Sequence, residues 1–270
     1  MLKAALALIS RIRWAVLSII FPTVWPIDKQ RRNHPHAIES YEHRVYSQHG
    51  EDGILAELFS RLGITNGTFI EMSVNDGTEC NTALLARNYG WSGLMVEGSD
   101  LALAARAAFA PFSSVRVVQS FITAENVVDL FVETKIPTEF DLLSIDLDGN
   151  DYWIWKTLAA YRPKVVIIEY NASHAPPLHW VMPYNASHTW PGESWNFGAS
   201  LVAYETLGKE LGYALLGTES SGANAFFIRE DLLPSIRFPR KSAAESYHPP
   251  HRLHYTGSWA KATVPSGVGN

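Results

Sequence analysis

Two acid-rich stretches, "SIDLDGND" and "EYNASH", carry the side chains best suited to chemistry. The first supplies Asp146, Asp148 and Asp151, and the second Glu169, Asn171 and His174. Carboxylates with an amide oxygen are hard ligands, so Asp146, Glu169 and Asn171 form a candidate set for Mg²⁺ or another divalent cation. A cation held there would lower the pKa of a bound hydroxyl. Asp146 and His174 are the candidates for taking its proton, because a strand-end carboxylate or a near-neutral imidazole suits a general base. The bland alternative is that Asp146 and Asp148 cap the helix that begins near Tyr152, with Glu169 paired to a base. A second acidic group lies upstream in "GTFIEMSVNDGTECNTALLARNYGWSGLMVEGSD", where Glu71 and Glu97 end two apolar runs and Asp76-Gly77 makes a turn.

Alternating strands and helices must position these groups. A helix is expected over "EDGILAELFSRLG", where Ile54, Leu55, Leu58, Phe59 and Leu62 recur at helical spacing and Gly63 is placed to cap it. Strands follow at Thr68–Ile70, "GLMVEG", "VRVVQSFI", "FDLLSIDLDG" and "PKVVIIEYNAS", each separated from the next by a helical segment. After a long loop rich in Pro, Trp and His, the helix "GASLVAYETLGKELG" leads into "YALLGTE" and "AFFIRE", a terminal hairpin. Five strands alternating with helices need right-handed crossovers and a mostly parallel sheet covered on both faces. The hairpin adds an antiparallel strand, so the expected fold is α/β with a mostly parallel seven-stranded sheet and an antiparallel terminal hairpin.

Ligands of such sheets bind outside the carboxyl ends of the strands, beside strand one. Asp76 precedes Glu97 by 21 positions, close to the ~20 residues expected between a phosphate-side turn and a ribose-binding acid. The turn lacks G-x-G-x-x-G, so a pyrophosphate could not approach its backbone closely. An acidic loop better suits a ligand with an ammonium and a sulfonium, S-adenosylmethionine. At this point "YSQHGEDGIL", "GTFIEMSVNDGTECNTALL", "GLMVEG", "DLLSIDLDGNDYWIWKTL", "VVIIEYNA" and "NAFFIRE" resemble the FkbM-type class I S-adenosylmethionine-dependent methyltransferases over residues 45–230. The resemblance implies a Rossmann-like fold and O-methylation of a sugar, glycan or related hydroxyl. It also implies cofactor contacts at Glu71, Asn75, Asp76, Gly77, Glu97, Gly98 and Ser120. Where the family has glycine this chain has Ser73, whose Cβ restricts the backbone.

Two rival functions use the same residues. Asp146-Leu147-Asp148 matches the D-x-D of metal-dependent glycosyltransferases, and a non-catalytic scaffold on this fold would fit the departure at Ser73. The net charge of −5 argues against nucleic acid as a partner. Cys80 is the single cysteine, which fits a reducing, cytoplasmic setting. Residues 1–44 carry seven basic and three acidic side chains. Their apolar, basic portion, residues 1–32, reads either as a helix in contact with the inner membrane face or as one packed on the domain. The domain reading is therefore 1–40 for this segment and its linker, 41–238 for the catalytic fold and 239–270 for an irregular tail. Gln48 and Glu51 are read as closing the cofactor pocket or as caps. His179 and His188 in the long loop, like His174, are read as candidate general bases or as solvated side chains, and Trp180, Tyr184, Trp190 and Trp195 as residues that stack on a sugar ring or form a lid, or as packing.

Overall fold

The structure is a computed structural model that describes residues 34–192 and 194–250. The N-terminal apolar and basic segment, residues 1–32, lies outside the described residues, as do 251–270. Seven strands form one sheet in the order β3-β2-β1-β4-β5-β7-β6. They are β1 (Thr68–Met72), β2 (Ser92–Glu97), β3 (Val115–Gln119), β4 (Leu142–Ile145), β5 (Val165–Glu169), β6 (Tyr213–Thr218) and β7 (Asn224–Arg229). The first five are parallel, and β7 lies antiparallel between β5 and β6. This is the Rossmann-like class I methyltransferase sheet expected from the sequence.

Helices cover both faces: α1 (Glu51–Leu62), α2 (Ala83–Tyr89), α3 (Ala102–Phe109), α4 (Val127–Glu133), α5 (Asp151–Thr157) and α6 (Leu201–Glu210). Alternate strand residues enter opposite cores, because successive side chains in a strand point to opposite faces. Ile70 and Met72 join Val96, Phe131, Trp155 and Tyr204 on one face, while Phe69 joins Leu58, Phe59, Met95 and Phe109 on the other. Gly63 stops α1 at φ +71°, a backbone conformation glycine adopts freely, and its N–H returns to the helix carbonyls. Short helices α7 (Leu233–Ile236) and α8 (Ala243–Ser246) follow the sheet.

Part of the stretch read as an irregular tail is ordered. Ser242 and Glu245 form a reciprocal capping box on α8, as Ser and Glu three apart favour. The Tyr170 hydroxyl then donates to the His248 carbonyl at 2.8 Å, docking this segment beside the end of β5. Among the described residues no helix is long and apolar enough to cross a membrane.

The chain leaves β1 for β2 and β3, then crosses back to β4. A crevice must therefore open between the loops leaving β1 and β4, on the carboxyl side of the sheet. The "YSQHGED" segment braces that side. One oxygen of Asp52 accepts the N–H groups of Val45, Tyr46 and Ser47 at 2.9, 2.7 and 2.7 Å. Glu51 accepts the His49 N–H and the Asn224 side-chain amide, tying this loop to β7. Gln48 donates to Glu79 at the surface. Replacing Asp52 by Ala leaves three amides without their acceptor, and the expected loss is about 3 kcal/mol, to be read from urea unfolding.

Candidate active site

A cavity of about 320 Å³ opens at the carboxyl ends of β1 to β4, within the roughly 300–1,000 Å³ of small-molecule sites. Ser73 enters it after β1, Glu97, Gly98 and Ser99 after β2, and Ser120, Phe121 and Ile122 after β3. Leu147, Asp148 and Asn150 follow β4, and His188, Thr189 and Trp190 reach in from the long loop. Among the described residues no lysine or arginine lines it.

Glu97 organises the β2 wall of the cavity. Its two oxygens accept the Asn75 and Ser99 N–H groups, each at 2.8 Å. A carboxylate oxygen has two acceptor sites, so each retains one for a ligand. Of the residues assigned to the cofactor, Glu97, Gly98 and Ser120 line the cavity. Asn75 lies one bond behind, holding Glu97 with its backbone at φ +49°. Glu71 is not in the lining: its oxygens accept the Asn81 and Thr82 N–H groups at 2.7 and 3.0 Å, steering the chain into α2. Asp76 is spent on an Asx-turn to Thr78 at the surface. Gly77, at φ +82°, packs against α3, where an added Cβ would lie 3.0 Å from Phe109 and 3.2 Å from Ala105.

Asp146, Asp148 and Glu169 each offer an oxygen within 4.8 Å of the others; of the three, Asp148 lines the cavity. Burial and then the mutual charge of neighbouring acids push Asp146 and Glu169 well above the ordinary carboxylate range. Asp148 rises to about 6 by burial and the charge of Asp151. Asp151 belongs to the scaffold, since its oxygens accept the Leu147 and Gly149 N–H groups at 2.6 and 2.9 Å.

Asn171, grouped with the metal ligands from the sequence, is fully used elsewhere. Its amide donates to the Trp195 and Phe197 carbonyls and its oxygen accepts from Ser173, so it anchors the long loop. Asp148 stands third in the group instead. His174 stacks on Trp180 with ring centroids 4.1 Å apart and does not line the cavity. Burial lowers its pKa. The histidine at the cavity is His188, whose Nε2 lies 3.2 Å from the Asp148 carbonyl. Its ring covers Gly149, where an added Cβ would sit 2.2 Å from Cδ2.

Sequence reasoning left out Ser99, Phe121, Ile122 and Asn150. Phe121 and Ile122 follow the end of β3, and the strand-end rule that selected Glu97 applies to them equally. Asn150 carries no such signal: it clasps the long loop through the Asn185 carbonyl at 2.7 Å, a contact made across 35 positions. Tyr184 bonds Glu125 and the Ala124 N–H, a second attachment of the same loop. Cys80 is buried, and burial raises its thiol pKa, so it is a packing residue.

No family model matches the chain, and no curated protein matches it. Solved structures similar to it include S-adenosylmethionine-dependent methyltransferases. An O-methyltransferase from Bacillus cereus in complex with SAH has TM-score 0.45 and 17% identity, over 79% of this chain and 96% of that one. A putative O-methyltransferase from Klebsiella pneumoniae has TM-score 0.44 and 15% identity, over 79% and 94%. An S-adenosylmethionine-dependent methyltransferase from Clostridium acetobutylicum has TM-score 0.44 and 12% identity, over 74% and 97%. The fold assignment rests on the strand order itself.

Ser73 sits at φ +65°, a left-handed conformation that costs an L side chain about 1–2 kcal/mol. Ser73→Gly should therefore raise stability by about 1 kcal/mol, measured as a higher midpoint in thermal or urea unfolding.

Burial outweighs the hydrogen bonds to Glu71 and raises its pKa from 4.5 to about 7. Below about pH 4.5 both folded and unfolded states are protonated at this group. As pH rises, the unfolded chain ionises first, so stability falls until the folded group ionises near 7. The loss is on the order of 3 kcal/mol. Glu71→Gln should flatten this part of the stability profile, checked by urea unfolding between pH 4.5 and 7.5.

Proposed function

We propose that the protein is an S-adenosylmethionine-dependent methyltransferase of the FkbM type that methylates a hydroxyl of a sugar, glycan or related metabolite. The observation that carries this reading is the composition of the cavity: acids at its β2 and β4 walls and, among the described residues, no lysine or arginine. A cationic sulfonium nucleoside is favoured in such a field, whereas a diphosphate would meet Glu97 and Asp148 with no counter-charge. The same observation counts against the glycosyltransferase reading of Asp146-Leu147-Asp148, because a sugar nucleotide brings that diphosphate.

Glu97 accepts the ribose hydroxyls on the oxygen positions left by Asn75 and Ser99. Phe121 and Trp190 offer flat apolar faces at the cavity wall on which an aromatic base or a sugar ring can stack. The bound cofactor supplies an activated methyl group. The acids after β4 and β5 face the acceptor, and Asp146 takes the hydroxyl proton as the oxygen–carbon bond forms and the carbon–sulfur pair departs onto sulfur. Burial and then the charges of Asp148 and Asp151 raise the pKa of Asp146, which strengthens the carboxylate as an acceptor for that proton. The binding energy of the acceptor goes into aligning it for displacement, which is the main service a protein performs for this reaction.

Isothermal titration tests the reading. The wild-type chain should bind S-adenosylhomocysteine and not a uridine-diphosphate sugar. Glu97→Gln retains the size of the side chain and one oxygen that can still hold a neighbouring amide, and it should bind S-adenosylhomocysteine at least tenfold more weakly. Absence of binding to the wild-type chain, or affinity for the sugar nucleotide instead, would reject the assignment.

A further inference from the structure

Asn150 immediately precedes α5, a position where asparagine commonly caps a helix by accepting an N–H of its first turn. Its side chain makes no such bond. It turns instead to the long loop, where its Nδ2 donates to the Asn185 carbonyl at 2.7 Å and its Oδ1 accepts the Asn185 N–H at 3.3 Å. One side chain thus holds both backbone groups of Asn185, as a neighbouring strand would. The same Asn185 carbonyl accepts the His188 N–H at 2.9 Å. His188 Nε2 in turn donates to the Asp148 carbonyl at 3.2 Å, because a carbonyl oxygen can only accept. Residues 184–190 are in this way closed onto the loop after β4.

The base and the tip of the long loop are held differently. At the base, Val181 and Ala199 form an antiparallel bridge. The Met182 N–H donates to the Gly198 carbonyl at 3.0 Å and the Ser200 N–H to the Trp180 carbonyl at 2.9 Å. Met182, Phe197, Ala199 and Ser200 are buried there. At the tip, none of residues 184–190 is buried. Hydrogen bonds to Asn150, Asp148, Glu125 and the Ala124 N–H attach it, together with the Tyr184 and Trp190 rings against Trp153 and Phe197. A segment with so little buried apolar surface opens at lower free energy than the sheet that carries it. Yet His188, Thr189 and Trp190 line the cavity, so opening this segment removes one of its walls.

We propose that residues 184–190 are a lid on the cavity, opening to admit a ligand and closing over it, and that Asn150 is the residue that latches it. The base stays fixed, because its bridge and its buried side chains belong to the domain. Asn150 acts as a positioning residue: its amide sets the Asn185 carbonyl, which sets the His188 N–H, and the ring comes to rest over Gly149. The closed position needs glycine there, since an added Cβ would sit 2.2 Å from the ring. A loop that closes over a bound molecule shields it from water and makes its release wait on reopening. The lid itself does not depend on which molecule fills the cavity. Its probe below, S-adenosylhomocysteine, rests on the methyl-transfer reading.

Hydrogen–deuterium exchange of the full chain, read by mass spectrometry, tests the lid in the wild type, Asn150→Ala and Asn150→Asp. Wild-type amides 184–190 should exchange at least tenfold faster than those of β4 and β5, and slow at least tenfold on saturation with S-adenosylhomocysteine. Asn150→Ala should speed their exchange at least tenfold while residues 180–182 and 198–200 keep their rates. It should also speed release of S-adenosylhomocysteine at least fivefold in stopped-flow displacement. Asn150→Asp keeps the oxygen for the Asn185 N–H and loses the donor, so it should fall between; it carries the test if Asn150→Ala does not fold. Unchanged exchange at 184–190 in a folded variant, an increase spread over the loop base and the sheet, or no slowing when the wild type is saturated overturns the lid. A wild type that does not bind S-adenosylhomocysteine sinks the methyl-transfer reading instead, and the exchange of the variants then decides the lid alone.

Discussion

A buried carboxylate must be met by donors or give up its charge, and that constraint shapes the working end of this protein. Loops leaving parallel strands have amides with no partner in the sheet, and acids at the strand ends accept them. Asp52 gathers the loop before α1, Glu71 the approach to α2, and Asp151 the loop after β4. Glu97 joins the loops after β1 and β2 to each other. Each carboxylate–amide pair loses less than an isolated buried charge would, because the hydrogen bonds replace water. Among the described residues these four acids are held by amides and hydroxyls and not by lysine or arginine, which leaves the field of the cavity negative.

Against that background, an acid with no amide is informative. Asp146, Asp148 and Glu169 stand on neighbouring strand ends, crowd each other, and serve no loop. Their pKa values rise because burial and like charge act together with nothing to oppose them. A group kept in so costly an arrangement is poised for a proton or a cation. Backbone strain collects at the same place, with Ser73 and Asp148, both at the cavity, in left-handed conformations. Such strain persists only where the surrounding structure over-determines it.

The long loop between β5 and α6 closes the other wall. Asn171 fastens its end through two carbonyls, Asn150 clasps its middle, and Tyr184 reaches the loop before α4. Its aromatic residues thus divide by position. Trp180 packs His174, whereas Trp190 and His188 face the cavity. A wall built from one loop can change with that loop while the sheet and the Glu97 side stay constant.

Much of this was legible in the sequence by itself. Periodicity marks the strands and helices because burial on one face or both imposes a local repeat, and the terminal hairpin distinguishes the sheet from a dinucleotide-binding one. Glu97 was readable because a strand-end acid is a local feature, and Asp146 and Glu169 for the same reason. What only tertiary structure decided is how each polar group spends its hydrogen bonds. Glu71, Asp76 and Asn171 look like ligands by type and position, yet they bond amides, carbonyls and hydroxyls of their own loops and none of them lines the cavity. Asp148 and His188, each one of several candidates of its residue type in the sequence, are the ones that face the cavity. Which acid is satisfied depends on amides that arrive from other loops and on loop closures that no residue type encodes locally, so the identity of the unsatisfied ones appears only when the chain is folded.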